Sequence, residues 1–126
     1  MAQILLVDDD TNVLLTLAIA LRRQNHTVTV AQNGWQALNL LRRQVFDFLI
    51  SDVSMPGMTG VELARRAHLM PKVPIVILTS ALEIELQEGL VEHFLPKPVD
   101  VRELNDVLAH DLAQLGLRPQ PPIALS

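Results

Sequence analysis

The sequence predicts a three-layer α/β/α sandwich around a parallel sheet of five strands. Short apolar runs alternate with helical segments five times along the 126-residue chain. Helical crossovers of this length join parallel strands, and their right-handed connection leaves few topologies. The length corresponds to about one domain, which can bury most of its apolar surface.

Five segments have the apolar or β-branched composition of buried strands. They are QILLV (3–7), HTVTVA (26–31), FDFLIS (46–51), VPIVILTS (73–80) and the minimal segment HFL (93–95). The third strand ends on Asp52. Each strand is therefore followed directly by a connection that leaves the sheet.

Five other segments are predicted to be helices, since their apolar residues lie mostly on one face. They are TNVLLTLAIALRR (11–23), WQALNLLRR (35–43), VELARRAHL (61–69), EIELQEG (83–89) and VRELNDVLAHDLAQL (101–115). The fourth is short, and we expect it to depend on Ile84 and on Leu86 or Leu90 docking to the sheet. In the last helix one apolar stripe is predicted, formed by Val101, Leu104, Leu108, Leu112 and Leu115.

Composition excludes several classes of protein. The net charge of −4 argues against a nucleic-acid-binding surface, and the absence of cysteine excludes disulfides and thiolate metal sites. No apolar run is long enough to span a membrane, and the first residues do not show the basic-then-apolar pattern of a signal sequence, so neither segment is expected. We expect a soluble cytoplasmic domain over residues 1–116, followed by a proline-rich tail or the start of a linker over 117–126.

Polar residues follow the predicted strands where ligand sites of parallel sheets form, beyond the carboxyl ends. They are Asp8 to Asp10, Asp52, Thr79, Ser80 and Lys97. Clustered carboxylates suit Mg²⁺, which prefers hard oxygen ligands. A hydroxyl and an ammonium group beside that metal would hold phosphoryl oxygens.

Four motifs together resemble the response-regulator receiver domain of two-component signal transduction, in the CheY-like superfamily. They are ILLVDDD (4–10), LISDVSMPGMTG (49–60), PIVILTS (74–80) and FLPKPV (94–99), in the family's order. The resemblance implies a flavodoxin-like strand order 2-1-3-4-5. The fourth helix, however, is predicted to be shorter than is usual in the family.

The resemblance assigns a role to each matched residue. Asp52 corresponds to the phosphoacceptor, Asp9 to a direct Mg²⁺ ligand and Asp8 to a ligand acting largely through water. The backbone carbonyl of Ser54 would complete the protein's metal ligands, and Mn²⁺ would substitute for Mg²⁺. Asp10 is expected to start the first helix.

The remaining matches concern the response to phosphorylation. Thr79 corresponds to the hydroxyl that bonds the phosphoryl group, Lys97 to the ammonium that neutralises it, and Phe94 to the switch aromatic. The Lys97–Pro98 bond is expected to be cis. The implied partners are a histidine kinase or a histidine phosphotransfer protein and a downstream effector of unknown identity, with no direct binding of nucleic acid or membrane.

Three alternatives remain open at this stage. The chain could be a pseudo-receiver, an interaction module that phosphorylation does not regulate. It could also be a phosphatase of the haloacid-dehalogenase type, although Asn12 stands where the pattern beginning at Asp8-x-Asp10 favours Thr or Val. A flavodoxin-type FMN site is disfavoured because the acidic loop after the first strand would repel the cofactor's phosphate. The leading prediction is a signalling module rather than a turnover enzyme.

Overall fold

The computed structural model describes residues 2–116 and contains a five-stranded parallel sheet. The strands are β1 (Gln3–Val7), β2 (Thr27–Ala31), β3 (Phe48–Asp52), β4 (Ile75–Ser80) and β5 (His93–Pro96). The helices in this part of the chain are α1 (Thr11–Arg23), α2 (Gly34–Arg43), α3 (Gly60–Ala67) and α4 (Val101–Gln114). The strand order is β2-β1-β3-β4-β5, which confirms the predicted flavodoxin-like topology.

The sheet separates two apolar clusters. One face packs on α2 and α3 through residues such as Leu5, Leu49 and Leu63. The other face packs on α1 and α4 through residues such as Phe48 and Leu104. Because both faces are covered, the central strands are buried along nearly their whole length, as their continuous apolar sequences predict.

The predicted short helix at 83–89 is wrong. Residues 81–92, all of which the structure describes, contain no helix, and we call this segment the β4–β5 connection. Ile84 and Leu86 are half-buried while Glu83 and Glu85 are exposed. Residues two apart point in nearly opposite directions on a helix but to one side of an extended chain, so this alternation favours the extended form.

Length also opposes a helix in the β4–β5 connection. Fewer than two turns of helix provide too few hydrogen bonds to offset the cost of nucleation. The connection is fixed instead at its end: Leu90 is buried, its carbonyl lies 2.7 Å from His68 Nε2, and the Glu92 N–H bonds to the Val76 carbonyl at 2.9 Å.

Two other predictions concern the C-terminal part of the chain. The apolar stripe of α4 is confirmed at Leu104, Leu108 and Leu112, but Leu115 follows the helix and is 51% exposed. The predicted tail at 117–126 lies outside the described residues. Among the residues that the structure does describe, no helix is both long and apolar enough to cross a membrane.

Candidate functional site

The turn after β1 orients three successive aspartates differently. Asp10 is the N-cap of α1, as predicted, since its Oδ1 accepts hydrogen bonds from the N–H groups of Asn12 at 3.0 Å and Val13 at 3.3 Å. Asp8 is buried, and its Oδ1 accepts a 2.9 Å hydrogen bond from the Asp10 N–H. Asp9 is exposed. The turn thus presents one buried carboxylate, Asp8, and one exposed carboxylate, Asp9, at the carboxyl end of β1.

Asp52 lies at the end of β3 and is only 6% exposed. Its Oδ1 accepts a 3.3 Å hydrogen bond from the Ser54 N–H. The next residue, Val53, is joined to β4 by a 2.9 Å hydrogen bond from its N–H to the Thr79 carbonyl. Asp52 is therefore placed by strand pairing rather than by a free loop.

Gly60 is a site residue that the sequence analysis missed. A Cβ atom at this position would lie 2.2 Å from the backbone oxygen of Asp52, much closer than any real Cβ contact. The first turn of α3, capped by Thr59, can approach Asp52 this closely because residue 60 has no side chain. The glycine after a capping residue in MTG was the available signal.

Lys97 joins the two buried carboxylates. Its Nζ lies 2.9 Å from Asp8 Oδ2 and 3.1 Å from Asp52 Oδ2. Its backbone N–H bonds to the Ser80 carbonyl at 2.9 Å, and the Lys97–Pro98 peptide bond is cis, as expected. The ends of β1, β3, β4 and β5 thus meet at one site, which we call the rim.

Burial and charge oppose each other at the rim. Burial raises the pKa of the Asp52 carboxyl above its ordinary value, although the hydrogen bond from Lys97 acts in the opposite direction. Burial alone would lower the pKa of Lys97, but its hydrogen bonds to Asp8 and Asp52 outweigh that effect and raise it. Lys97 therefore stays charged, and two buried carboxylates share one ammonium.

The rim also fits a divalent cation. Asp8, Asp9 and Asp52 each offer one carboxylate oxygen, and these oxygens lie within 4.8 Å of one another. Such a set of hard oxygen donors, partly open to solvent through Asp9, suits Mg²⁺, which retains several waters when it binds. The same donors would accept Mn²⁺.

The two predicted switch residues lie on β4 and β5, and Thr79 is the register partner of Asp52 on the neighbouring strand. Thr79 is buried at the end of β4, and its hydroxyl lies 3.5 Å from the Ser51 carbonyl, the limit for a hydrogen bond. Phe94 is half-buried on β5 and packs on the cluster beneath α2 and α3. Their roles as switch residues stay predictions.

Comparison with known proteins shows the family to which the chain is similar. Residues 4–109 match the family model of the response regulator receiver domain. Transcriptional regulatory protein AfsQ1 of Streptomyces coelicolor is 36% identical over 109 residues, which cover 83% of this chain but 48% of that protein. An uncharacterized 14.6 kDa protein encoded in the sodA1 3′ region of Leptolyngbya boryana is 43% identical over 108 residues, covering 80% of this chain and 82% of that protein.

A solved structure shows the same fold with ligands bound. Response regulator protein TrrA of Thermotoga maritima, in complex with Mg²⁺ and BeF, superposes with a TM-score of 0.78 and 28% identity. The match covers 86% of this chain and 96% of that one. The matched region therefore includes nearly all of that domain.

Proposed function

Because the chain belongs to the family of response regulator receiver domains, we propose that it is a phosphoacceptor switch in which Asp52 receives a phosphoryl group in the presence of Mg²⁺. The observation that supports this most directly is the position of Asp52. It lies within 4.8 Å of Asp8 and Asp9 oxygens and 3.1 Å from the Lys97 ammonium. A nucleophilic carboxylate, cation ligands and a fixed positive charge are the components that phosphoryl transfer requires.

The donor is a phosphohistidine of a histidine kinase or of a histidine phosphotransfer protein. An oxygen of Asp52 attacks phosphorus, the bond from phosphorus to the histidine nitrogen breaks, and an acyl phosphate forms. Asp8, Asp9, Asp52 and the carbonyl of Ser54 would hold Mg²⁺, which when bound offsets the negative charge of the transferred group. The chain acts as a signalling module that assists this transfer, not as an enzyme with turnover.

After transfer, Lys97 and Thr79 respond to the new charge. The Lys97 ammonium, already 3.1 Å from Asp52 Oδ2, is close enough to pair with a phosphoryl oxygen. The Thr79 hydroxyl, only weakly held by the Ser51 carbonyl, can rotate toward the group. We propose that this movement frees space for Phe94, which is half-buried and can pack further inward, so that an effector distinguishes the two states.

The alternatives are less well supported. In the phosphatase pattern the second aspartate, Asp10, must face the substrate, yet it caps α1 instead. A pseudo-receiver would not need Asp8, Asp9, Asp52 and Lys97 together at one rim. The sequence relatives include transcriptional regulators of which this chain spans only part, so the output that this domain controls is left open.

The test is phosphorylation by acetyl phosphate with Mg²⁺, followed by intact mass spectrometry. We expect the addition of one phosphoryl group, its loss in Asp52→Asn and its loss when EDTA removes the metal. Asp106→Asn, an exposed aspartate of α4, is the matched control and should be labelled like the parent chain. Equal labelling of Asp52→Asn would overturn the assignment.

A further inference from the structure

A second candidate site lies at the N-terminal ends of β3 and β4, whereas Asp52 lies at the carboxyl end of β3. The C-terminal end of α2 and the loop before β4 enclose a groove of about 290 Å³. Its charged lining comes from Arg42 and Arg43 on α2 and from Lys72 in the loop. These residues precede β3 and β4, whereas the rim follows the same strands. We call this cavity the basic groove.

The three cations of the basic groove lack partners in the part of the chain that the structure describes. No carboxylate oxygen of residues 2–116 lies within 4.0 Å of them, whereas Arg65 and Arg66 both pair with Glu62. Asp47, the acidic residue nearest in sequence, accepts a 2.7 Å hydrogen bond from the Gln3 N–H toward β1. Three unpaired positive charges are thus concentrated in a protein whose net charge is −4.

The dipole of α2 explains the position of the two arginines but not that of Lys72. Basic residues in the last turn of a helix interact favourably with its dipole, which accounts for Arg42 and Arg43. Lys72 is not on a helix, and it is one of two lysines in the chain. Its position across the groove from the arginines therefore needs another reason.

The groove is apolar as well as basic. Leu41, Phe46, Met70 and Pro71 line it, and Val45 on its edge is 57% exposed. A free inorganic anion would leave these apolar side chains uncovered. A ligand that bears both carboxylates and an apolar side chain would complement the whole lining.

We propose that the basic groove binds an acidic peptide segment of a partner protein, with carboxylates on Arg42, Arg43 and Lys72 and an apolar side chain against Val45 and the floor of the groove. The groove is distant from the phosphoacceptor, so this interaction is separate from transfer to Asp52. The partner is recognised by charge complementarity in the presence of a hydrophobic contact.

The probe is a short fluorescein-labelled peptide of alternating glutamate and leucine, titrated with the full chain and followed by fluorescence anisotropy. We expect Arg43→Gln/Lys72→Gln to weaken binding about tenfold, since each exposed ion pair contributes a few-fold in affinity. Val45→Asp should weaken it by a similar factor. Amide chemical shifts should change mainly in residues 40–46 and 70–73.

The matched control is Arg23→Gln/Arg102→Gln, which removes the same charge from exposed positions outside the groove. This variant should bind within about twofold of the parent chain, because neither arginine lines the groove and salt screens exposed charges that make no direct contact. Equal weakening by both double variants would overturn the proposal, because binding would then reflect overall charge alone. Equal binding of a glutamine–leucine peptide, or displacement by inorganic phosphate at the same concentration as the acidic peptide, would also overturn it.

Phosphorylation of Asp52 by acetyl phosphate provides an independent readout. Both double variants should be labelled at the parent rate, because none of the substituted residues contacts the rim. Loss of peptide binding with normal labelling supports the groove, and loss of both in the groove variant but not in the control overturns its separation from the rim.

Discussion

The rim and the β4–β5 connection differ in how tightly the protein holds them. At the rim, Asp8 and Asp52 are buried, and each makes hydrogen bonds to both a backbone N–H and Lys97. In the connection, residues 81–89 are mostly exposed, and only Ile84 and Leu86 are half-buried. The rim is therefore held by buried hydrogen bonds, whereas the β4–β5 connection lies mostly on the surface. We expect mutations at the rim to lower the free energy of unfolding more than mutations in the connection.

The largest expected difference in the free energy of unfolding is between alanine substitutions at two glycines, Gly60 beside the rim and Gly89 in the β4–β5 connection. In Gly60→Ala the new methyl group would lie 2.2 Å from the Asp52 backbone oxygen. We expect a loss of about 4 kcal/mol or more in the free energy of unfolding, because backbone atoms cannot move aside as a side chain can. Gly89→Ala meets no atom within 4 Å and suffers only the strain of a φ of +82°, a cost of about 1 kcal/mol.

Urea denaturation of the two alanine variants measures this difference. Comparable losses in both would mean that the connection is as rigid as the rim. Gly60→Ala should also reduce labelling by acetyl phosphate if it remains folded, since α3 can no longer approach Asp52. Gly89→Ala should be labelled normally.

Two leucines that pack on the same apolar cluster give the next largest effect. Leu63 on α3 is fully buried, whereas Leu86 in the connection is half-buried. We expect Leu63→Ala to lower the free energy of unfolding by about 3 kcal/mol. Leu86→Ala should lower it by less than about 1 kcal/mol, because the β4–β5 connection can move to fill the cavity. Thermal and urea unfolding would test the ranking, and an equal or larger loss at Leu86 would contradict it.

A smaller effect separates two carboxylates within the rim. Both oxygens of Asp8 are engaged, by the Asp10 N–H and by Lys97, whereas Asp9 is exposed. The structure thus leaves Asp9 freer to become a direct Mg²⁺ ligand. We expect Asp9→Ala to weaken Mg²⁺ binding at least about tenfold, or 1.4 kcal/mol, and Asp8→Ala to weaken it less.

Calorimetric titration with Mg²⁺ measures both affinities, and Asp106→Ala is the control for a change of net charge alone. Weaker binding in Asp8→Ala than in Asp9→Ala would reverse the two assigned roles. In Asp8→Ala, Lys97 keeps its 3.1 Å ion pair with Asp52, and the repulsion between the two buried carboxylates is removed.

The sequence predicted the rim better than the connection for physical reasons. The rim residues lie at or directly after the ends of the predicted strands: Asp8, Asp52, Thr79 and Lys97. Parallel topology brings these strand ends together whatever the details of packing. The bond from Lys97 to Asp8 joins residues 89 positions apart and required the tertiary structure. In the connection, Ile84 and Leu86 alternate with glutamates, a pattern too short to distinguish helix from extended chain before its packing is known.

The smallest expected effect is on oligomeric state. Many receivers dimerise after phosphorylation through the helix before β5, together with β5 and the last helix. Here the β4–β5 connection takes the place of that helix, and its Glu83, Glu85 and Glu88 are exposed. In a two-fold symmetric dimer these glutamates would face one another and repel. The β4–β5 connection offers little apolar area whose burial could offset that repulsion. We therefore expect no dimer through this surface when Asp52 bears a phosphoryl group.

Sedimentation velocity with and without beryllofluoride, a mimic of the phosphoryl group, tests this expectation. We expect Trp35 to respond when the mimic binds, because its indole nitrogen lies 3.8 Å from the point that a Cβ on Gly57, in the loop after β3, would occupy. We expect a change in Trp35 fluorescence without a change in sedimentation coefficient. The opposite result would be a tight dimer that forms only with the mimic and is broken by charge reversal at Arg102 or Asp106, both exposed on α4. Such a dimer would mean that β5 and α4 alone supply enough surface for association.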